Sequence, residues 1–574
     1  MNRHSIIQAI VNRPKIPVLI VGGGINGAGL YRELALQGVD AYLVEKGDFL
    51  SGASSASSHM IHGGLRYMEN SEFRLVRESI AERNRLLKNA PHYVKPLPTT
   101  IPIFNWTSGI IPAIQKFLRL DEHSSNRGAL LVKIGLMMYD FYTRYQQVLP
   151  AHTFNSRSKS LEERPRLNDK IVCTATYYDA WISYPERLGL EVIIDGGEAN
   201  PKSKAINYMR LISANGNTVQ LSDEISGETI TVQPQIVINA TGAWIDFTNQ
   251  SLSHKTSLMG GTKGSHLIID NQDLFDSLNG EMIYFENDDG RVCIMFPYQG
   301  KVLAGSTDIR IDNPDEAICT PEEEAYILDS IRNIFPEIKI AKDEIVFRYC
   351  GVRPLAGNEK SSTALISRDH SCEIVEANET IHFPTYSLVG GKWTTFRAFS
   401  EQVADKVLVH LAQPRKLDTY DIAIGGGRNF PATKQARDEW IHQLEASAKM
   451  KPERIALLLE RYGTRAVQLI DYIQSCEDKP LQHAPHFSRC EIEFMAQYEY
   501  VCHLTDLVLR RTLLAMLGKV TIPLLEELAS IIVPILGWSD SEVKQEIEST
   551  AQYLRQRHGM QFDNQHLEGK SLNV

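Results

Sequence analysis

Three glycines near the start of the chain have the spacing of a phosphate-binding turn. Gly22, Gly24 and Gly27 follow the order G-x-G-x-x-G, directly after the apolar run 16–21. In such a turn the first glycine permits a tight bend, and the second lets the backbone approach a pyrophosphate. The third lets the following helix pack closely on the preceding strand. An ordinary glycine-rich turn is the alternative, but the elements around these glycines favour a dinucleotide site.

Those elements are a strand, a helix and a second strand. The run 16–21 predicts a buried strand, and 25–37 predicts a helix whose first N–H groups face the phosphates. Gly38 stands where this helix should end, and 41–44 predicts the next strand. Glu45 then lies where a carboxylate bonds a ribose hydroxyl, which argues against NADP. This unit alone does not distinguish FAD from NAD.

A second segment carries groups that suit a flavin. The serines at 54, 55, 57 and 58 precede the run Met-Ile-His-Gly-Gly-Leu-Arg-Tyr at 60–67. Hydroxyl groups suit a pyrophosphate, and two adjacent glycines let the backbone lie against a flat ring. A serine-rich loop is otherwise a flexible connection. The imidazole and guanidinium groups that follow this loop favour the binding role.

The segment 54–67, which continues to Glu69, resembles the flavin loop of the FAD-dependent glycerol-3-phosphate dehydrogenases of the aerobic, quinone-linked type. Further segments similar to this family follow in order along nearly the whole chain. They are 239–244, 263–266, 305–308, 351–355, 367–369, 390–397 and 504–512.

The resemblance implies an α/β fold with α+β elements in the substrate domain. A Rossmann-like FAD-binding domain would be interleaved with a mixed-sheet substrate domain, and an all-helical domain would follow. FAD is the implied cofactor. The residues expected to bind it are Gly22, Gly24, Ile25, Asn26, Gly27, Glu45, Ser54, Ser55, Ser58, His62, Gly63, Gly64, Leu65, Thr241, Gly242, Gly391, Lys392, Thr394 and Thr395.

The resemblance also implies oxidation of glycerol 3-phosphate to dihydroxyacetone phosphate. A hydride would leave C2 for flavin N5, and the hydroxyl group would lose its proton. The side chains expected to bind the substrate are Arg66, Tyr67, Thr307, Arg353, Arg368 and Lys392. Arginine suits the phosphate because its planar guanidinium group makes two parallel hydrogen bonds.

The catalytic candidates are His62, His266 and Arg353. Either histidine could accept the proton, because imidazole titrates near neutral pH. Either could instead only hydrogen-bond the substrate, while an arginine polarises the hydroxyl group. Lys392 could contact the flavin carbonyl side and stabilise the reduced ring, rather than contact the phosphate.

The residues support two alternative functions less well than glycerol 3-phosphate oxidation. A related flavoenzyme acting on a hydroxy acid or an amine should lack this cluster of cations. A non-catalytic FAD-binding protein would need no phosphate clamp, nor the two histidines.

Two departures from the family pattern occur near the expected site. The family usually has lysine at the position of His59, and 184–188 replaces an Asp-Ala-Arg-Leu pattern. The first change affects a polar contact near the flavin loop. The second affects a helix start and part of the substrate entrance, but neither removes a catalytic candidate.

The composition excludes other classes of protein. The chain has 574 residues, of which 43% are hydrophobic, enough for a large core and more than one domain. Its net charge of −10 argues against binding to nucleic acid. The eight cysteines form no C-x-x-C pair, so we expect no metal site and reduced thiols in the cytoplasm.

The sequence defines the electron acceptor less closely than the cofactor or the substrate. The resemblance implies a quinone, or oxygen in an oxidase, and a homodimer is expected. No apolar run approaches the roughly 18 residues of a transmembrane helix. The amphipathic stretch 110–119 suits either packing in the core or contact with a membrane surface. Together with the resemblance, it predicts peripheral contact with the inner face of the cytoplasmic membrane.

The expected organisation has five parts. Residues 1–15 form an extension in which Ile6, Ile7, Ile10 and Val11 predict a docking helix. The remaining parts are the interleaved domains 16–425, a linker 426–435, a helical domain 436–560 and a polar tail 561–574.

Overall fold

The computed structural model describes residues 3–64, 72–106, 132–133, 135–137, 140, 149–287, 289–355 and 369–562. Its strands are β1 Lys15–Val21, β2 Ala41–Val44, β3 Met60–Ile61, β4 Val94–Ile103, β5 Thr153–Ser156, β6 Cys173–Ile182, β7 Lys204–Ile206, β8 Met209–Asn215, β9 Thr218–Asp223, β10 Thr229–Asn239, β11 Thr262–Ile269, β12 Met282–Glu286, β13 Val292–Tyr298, β14 Lys301–Gly305, β15 Ile309–Arg310, β16 Ile345–Arg353, β17 Ser371–Val375 and β18 Thr385–Val389.

The helices are α1 Arg3–Asn12, α2 Ile25–Leu36, α3 Phe73–Asn89, α4 Arg157–Glu163, α5 Pro185–Ala199, α6 Ile245–Ser251, α7 Gln272–Ser277, α8 Pro321–Ile334, α9 Phe396–His410, α10 Lys434–Ala448, α11 Pro452–Tyr462, α12 Ala466–Gln474, α13 Arg489–Tyr498, α14 Leu504–Asp506, α15 Ile522–Leu536 and α16 Asp540–His558. A π-helical turn, Leu507–Arg511, follows α14 directly.

The first sheet has the order β17-β18-β10-β1-β2-β7, and its strands from β18 to β7 are parallel. Apolar residues alternate between the two faces of β1. Val18 and Ile20 pack beneath α2, whereas Leu19 packs with Ile6 and Ile10 of α1. Both faces are therefore covered, as a parallel sheet requires. The strand–helix–strand unit and the docking helix agree with the sequence-based expectations.

The second sheet has the order β15-β11-β14-β13-β12-β4-β6-β3, with β16 paired to β11 and β5 paired to β6. It is mixed, because β12 and β4 are parallel while the other pairs are antiparallel. The chain enters this sheet at β3, returns to the first sheet for β7–β10, and crosses again for β11–β16. This confirms the predicted interleaved architecture.

The helices after 434 form the predicted all-helical domain, and it shares one core with the second sheet. Leu458, Leu525 and Leu528 belong to the same apolar cluster as Phe296 and Phe347. The glycine segment 425–427, at the start of the expected linker, is buried rather than exposed. Its N–H groups bond carboxylates of α5, so the connection is fixed against the nucleotide domain.

The cysteines differ from expectation. Cys476 and Cys490 are joined by a disulfide bond, whereas we expected reduced thiols throughout. The spacing gave no signal, because the two cysteines are 14 residues apart and form no C-x-x-C pair, and the chain between α12 and α13 brings them together. Glu493 is the third member of the one group of potential metal ligands found among the described residues. Sulfur atoms bonded to each other are not thiolate ligands, so this group does not make a metal site.

No described helix is both long enough and apolar enough to cross a bilayer. The amphipathic stretch 110–119 lies outside the described residues, as do 563–574 of the predicted tail.

Candidate functional site

A cavity of about 690 Å³ opens at the carboxyl ends of β1, β2 and β10 and extends towards the second sheet. Ligands of open parallel sheets bind at this edge. Thirteen of the eighteen described residues that the sequence assigned to a cofactor line the cavity, and Gly27, Ser55, Gly63, Gly64 and Thr395 do not. Those lining it are Gly22, Gly24, Ile25, Asn26, Glu45, Ser54, Ser58, His62, Thr241, Gly242, Gly391, Lys392 and Thr394.

The glycine turn has the geometry that its spacing predicted. Gly22 has a φ of 108° and donates its N–H to the carbonyl of Val44 at 2.8 Å. A Cβ atom on Gly27 would lie 1.9 Å from the carbonyl oxygen of Gly22, so only glycine permits this helix–strand contact. Gly27 does not line the cavity and acts by packing. Gly24 faces the cavity at the first turn of α2.

Glu45 is fixed at the end of β2 by backbone groups. Its carboxylate accepts the N–H of Gly23 at 2.7 Å and the N–H of Gly47 at 2.9 Å. Burial raises the pKa of Glu45, although these two hydrogen bonds oppose the change. The carboxylate lies in the cavity wall, where a carboxylate can accept a hydrogen bond from a ribose hydroxyl.

The serine loop is tied to both sides of the cavity. The hydroxyl oxygen of Ser54 accepts the N–H of Ile25 at 2.9 Å, and its carbonyl accepts the indole N–H of Trp393 at 2.9 Å. Ser55 does not line the cavity, because its hydroxyl donates to the carbonyl of Gly52 at 3.0 Å. Ser57, which the sequence reasoning left out, does line it.

The 390–397 segment meets the glycine turn through Asn26. The amide of Asn26 donates to the carbonyl of Gly390 at 3.0 Å, and its Oδ1 is buried with no hydrogen-bond partner among the described residues. Lys392 lines the cavity and donates to the hydroxyl of Ser79 at 2.9 Å. Thr395 lies behind the wall at the start of α9.

His266 presents an imidazole to the cavity from β11. The ring is stacked on Tyr349 of β16, with centroids 4.9 Å apart and planes 9° apart. Neither ring nitrogen has a hydrogen-bond partner among the described residues. Burial, and then the positive charge of Arg353, holds the pKa of His266 well below its ordinary value. The imidazole is therefore neutral at pH 7 and able to accept a proton.

Arg353 supplies a cation close to this imidazole. Its guanidinium donates to Asp308 at 3.0 Å, to the hydroxyl of Ser306 at 2.9 Å and to the carbonyl of Thr307 at 3.1 Å. A Cβ atom on Gly264 would lie 2.1 Å from Nη2 of Arg353, so glycine makes room for the guanidinium beside β11. The group is held in one orientation at the cavity wall.

Thr307, expected to bind substrate, is buried outside the cavity wall. Its hydroxyl donates to Glu323 at 2.5 Å and accepts the N–H of Ser265 at 2.9 Å. Glu323 also pairs with Lys263 at 2.7 Å and accepts the hydroxyl of Ser265. Although burial opposes it, these donors hold the pKa of Glu323 below its ordinary value. Thr307 thus supports the loop that holds Arg353.

The flavin-loop residues are described as far as Gly64. His62 lines the cavity, and Gly64 has a φ of 84°. The N–H of Gly63 donates to Asp179 at 2.8 Å, and this carboxylate pairs with Arg83 at 2.9 Å. Leu65, Arg66, Tyr67 and Arg368 lie outside the described residues, so their expected roles stay predictions.

Neither departure from the family pattern is among the residues that line the cavity. His59 is fully buried behind the loop, its ring meets Tyr298 edge-on at 4.9 Å, and burial lowers its pKa to about 3. Arg187, in the 184–188 segment, forms a bidentate pair with Glu499 of the helical domain at 3.0 and 2.8 Å. The second segment therefore joins two domains, and its side chains do not line the described cavity.

Sequence reasoning missed the residues beside Glu45. The start of β8, residues 209–212, lines this end of the cavity, together with Lys46, Trp244 and Phe247. Tyr553 of α16 also lines the cavity. Lys46 directly follows Glu45, and Trp244 ends the 239–244 segment that resembles the family. No local pattern marked the others, because the first sheet and the helical domain bring them to the cavity from distant parts of the chain.

The cavity fits a dinucleotide carrying a flat ring system. A glycine turn and a helix N-terminus lie where a pyrophosphate is bound, and an acid follows at the ribose position. The buried, unpartnered Oδ1 of Asn26 and the ring nitrogens of His266 offer hydrogen bonds to a bound molecule.

Comparisons with known proteins identify the family of the chain. The family described as FAD dependent oxidoreductase matches residues 17–397, and the family described as the C-terminal domain of alpha-glycerophosphate oxidase matches 417–543. The chain belongs to the FAD-dependent oxidoreductase family, in the group that contains the glycerol-3-phosphate dehydrogenases, and its cofactor is FAD.

Two relatives span nearly the whole chain. A glycerol-3-phosphate dehydrogenase from Synechocystis sp. is 30% identical over 94% of this chain and 96% of its own length. A D-erythritol 1-phosphate dehydrogenase from Brucella abortus is 29% identical over 86% of this chain and 93% of its own length. The crystal structure of a Bacillus halodurans glycerol-3-phosphate dehydrogenase complexed with FAD has the same fold, with a TM-score of 0.73, 22% identity, and coverage of 96% and 97%.

Proposed function

We propose that this protein oxidises sn-glycerol 3-phosphate to dihydroxyacetone phosphate. One observation carries the proposal: a neutral imidazole, His266, and a fixed guanidinium, Arg353, share one wall of the cofactor cavity. Oxidation of a secondary alcohol needs a proton acceptor, and a phosphate monoester needs cations. The names of the two relatives, both dehydrogenases of polyol phosphates, support this substrate class.

The protein's own residues would orient the substrate and remove one proton. FAD supplies the acceptor for the hydride that leaves C2, at N5 of its ring. A ring nitrogen of His266 takes the hydroxyl proton, because its neutral form is favoured at pH 7. Arg353 holds the substrate beside this imidazole, with Asp308 and the hydroxyl of Ser306 fixing the angle of the guanidinium.

Other side chains would bind the substrate phosphate or serve as an alternative base. Lys392 adds positive charge to the cavity wall, next to the glycines of the 390–397 segment. Arg66, Tyr67 and Arg368 are proposed from the family resemblance as further contacts to the phosphate. His62 is the second candidate for the base.

The electron acceptor is proposed from the resemblance alone to be a quinone, with oxygen as the alternative. Peripheral contact with the inner face of the cytoplasmic membrane and a homodimer belong to the same proposal. Comparing reoxidation of the reduced protein by a soluble quinone and by oxygen tests the acceptor. Faster reoxidation by oxygen would indicate an oxidase.

The decisive experiment records the visible spectrum of the purified protein without oxygen. We expect the flavin band at about 450 nm to bleach when glycerol 3-phosphate is added. D-Erythritol 1-phosphate serves as the matched comparison, because the Brucella abortus relative carries its name. Bleaching by that compound alone would reassign the substrate within the class. Unchanged spectra with both compounds would reject a polyol phosphate as the substrate.

A further inference from the structure

The last helix of the C-terminal domain reaches the cofactor cavity. Tyr553 of α16 lines it, whereas the other described lining residues all precede residue 395. We propose that α16 completes the FAD site and slows the release of the cofactor. The helical domain would then have a direct role in cofactor binding, independent of which substrate is oxidised.

Hydrogen bonds fix this helix to the edge of the cavity. Arg557, one turn after Tyr553, donates from Nη2 to the carbonyl of Asp315 at 2.9 Å and from Nη1 to the carbonyl of Ala317 at 3.1 Å. Because side chains four residues apart share one face of a helix, Tyr553 and Arg557 face the same part of the substrate domain.

The end of α16 is held on strand β16 as well. The imidazole of His558 meets the carbonyl of Arg348 at 2.8 Å and stacks on the ring of Phe347, with centroids 4.2 Å apart. Strand β16 ends at Arg353, so the helix contacts the strand that carries the cationic wall of the cavity.

The segment that Arg557 binds carries part of the cavity rim. Asp315 accepts the indole N–H of Trp244 at 2.9 Å, and the ammonium group of Lys46 lies 3.4 Å from the same carboxylate. The ammonium group also lies 4.4 Å from the centre of the Trp244 ring. All three side chains line the cavity, and Lys46 directly follows Glu45, the expected ribose acid.

The helix therefore acts on the cofactor in two ways. The side chain of Tyr553 forms part of the cavity wall. Arg557 holds the backbone of Asp315 in place. The carboxylate of Asp315 in turn contacts both Lys46 and Trp244. Releasing α16 would open the rim beside the ribose. Loss of such contacts changes dissociation more than association in most complexes.

The test measures FAD release from the holoprotein, as the rise in flavin fluorescence after dilution with a flavin scavenger. The variants are Y553A, R557A and D315A, with R555A as the matched control. Arg555 is a cation in the same helical turn, and its described contact is the ring of Phe562. We expect each of the three variants to release FAD at least about fivefold faster than the wild type, and R555A to match the wild type.

A separate measurement distinguishes this effect from loss of the fold. The far-UV circular dichroism spectrum of each holoprotein should equal that of the wild type. If R557A loses helical signal, the FAD release rates of Y553A and D315A test the proposal instead. Both of these variants keep the Arg557 side chain and its two backbone acceptors. Release within about twofold of the wild type in Y553A and D315A would overturn the proposal. FAD release needs no substrate, so failure here and failure of the proposed substrate are distinguishable.

Discussion

His266 and Arg353 reach the cavity from the paired strands β11 and β16. The position of each side chain depends on the size or shape of one adjacent residue. Tyr349 supports the imidazole by stacking, and Gly264 leaves space for the guanidinium. The positive charge of Arg353 also favours the neutral imidazole over the imidazolium ion. Together these contacts hold the imidazole at the cavity wall, and its ring nitrogens have no hydrogen-bond partner among the described residues.

Replacing His266 with asparagine should lower kcat for the proposed reaction by about 10²–10⁴-fold, since the proton acceptor is lost. In the wild type, kcat/KM should stay constant as the pH falls to the ordinary histidine pKa of 6.5 and decrease only below it. The rate falls on the acidic side because the pKa of His266 is lowered and the neutral imidazole is the active form. The acidic decrease should be absent in the variant, as measured by rates of flavin bleaching against pH.

His62→Asn is the matched comparison, because His62 lines the same cavity. It should keep the acidic decrease. A visible spectrum of bound FAD in both variants would exclude loss of cofactor as the cause. If the pH dependence disappeared in the His62 variant and survived in the His266 variant, the two roles would be exchanged.

Among the secondary-structure elements, the N-terminus of α8 organises the wall that carries Arg353, the proposed substrate-binding group. Glu323 lies in the first turn of this helix and bonds Lys263, Ser265 and Thr307. Thr307 in turn belongs to the loop whose Ser306 and Asp308 fix Arg353. One carboxylate thus links β11, the loop after β14 and the helix.

Glu323→Gln should raise KM for the proposed substrate by about tenfold while leaving bound FAD unchanged. The amide cannot hold Lys263 and the Thr307 hydroxyl in the same way, so the loop beneath Arg353 shifts. Removing one partner of a buried ion pair should also cost about 3–5 kcal/mol of stability. Steady-state kinetics and thermal unfolding measure the two effects.

A double variant separates positioning from stability. In K263M combined with E323Q the unpaired buried cation is gone, so the unfolding temperature should recover while KM stays high. Glu322→Gln, an exposed neighbour in the same turn, should change neither quantity. Recovery of a wild-type KM in the double variant would show that Glu323 has no positioning role.

At the scale of the whole molecule, charged pairs join the nucleotide domain to the helical domain. Asp48, three residues after the ribose acid, accepts two hydrogen bonds from Arg511 at 2.7 and 2.8 Å. Although burial opposes it, Arg511 and Arg510 hold the pKa of Asp48 below its ordinary value. Arg187 and Glu499 form a second such pair. The loop after β2 is therefore fixed partly by the C-terminal half of the chain.

Glu186, at the same interface, is bonded to no cation within the part of the chain that the structure describes. Burial raises its pKa from 4.5 to about 8, so the carboxyl group is protonated in the folded protein at pH 7. A raised pKa contributes stability below the unfolded value that is lost as the pH rises towards the folded value. Glu186→Gln should therefore raise the unfolding temperature more at about pH 8 than at about pH 5.

Glu453→Gln provides the matched control for this comparison. Glu453 occupies the same position in α11, within the same Pro-Glu-Arg start, but it is exposed. Its substitution should have no pH-dependent effect on unfolding temperature. An equal shift at both pH values in Glu186→Gln would contradict the assigned protonation.

The features of the nucleotide domain that depend on short-range geometry were predictable from the sequence alone. The Gly22–Gly27 spacing, the strand at Ala41–Val44 and the acid after it all lie within one strand–helix–strand unit. Such a unit has few ways to fold, because a right-handed crossover joins parallel strands. The family resemblance added the second sheet and the helical domain, and both were confirmed.

Which side chains face the cavity could not be predicted from local patterns. Alternation along β11 shows that His266 has a defined face, but not which face meets the cavity, and Thr307 lies in the loop after β14, where no alternation applies. The same limit hid the burial of His59, the Glu323 network, the Cys476–Cys490 bond and the position of Tyr553 at the cavity. These features depend on contacts between residues that belong to different elements, and no local pattern encodes such contacts.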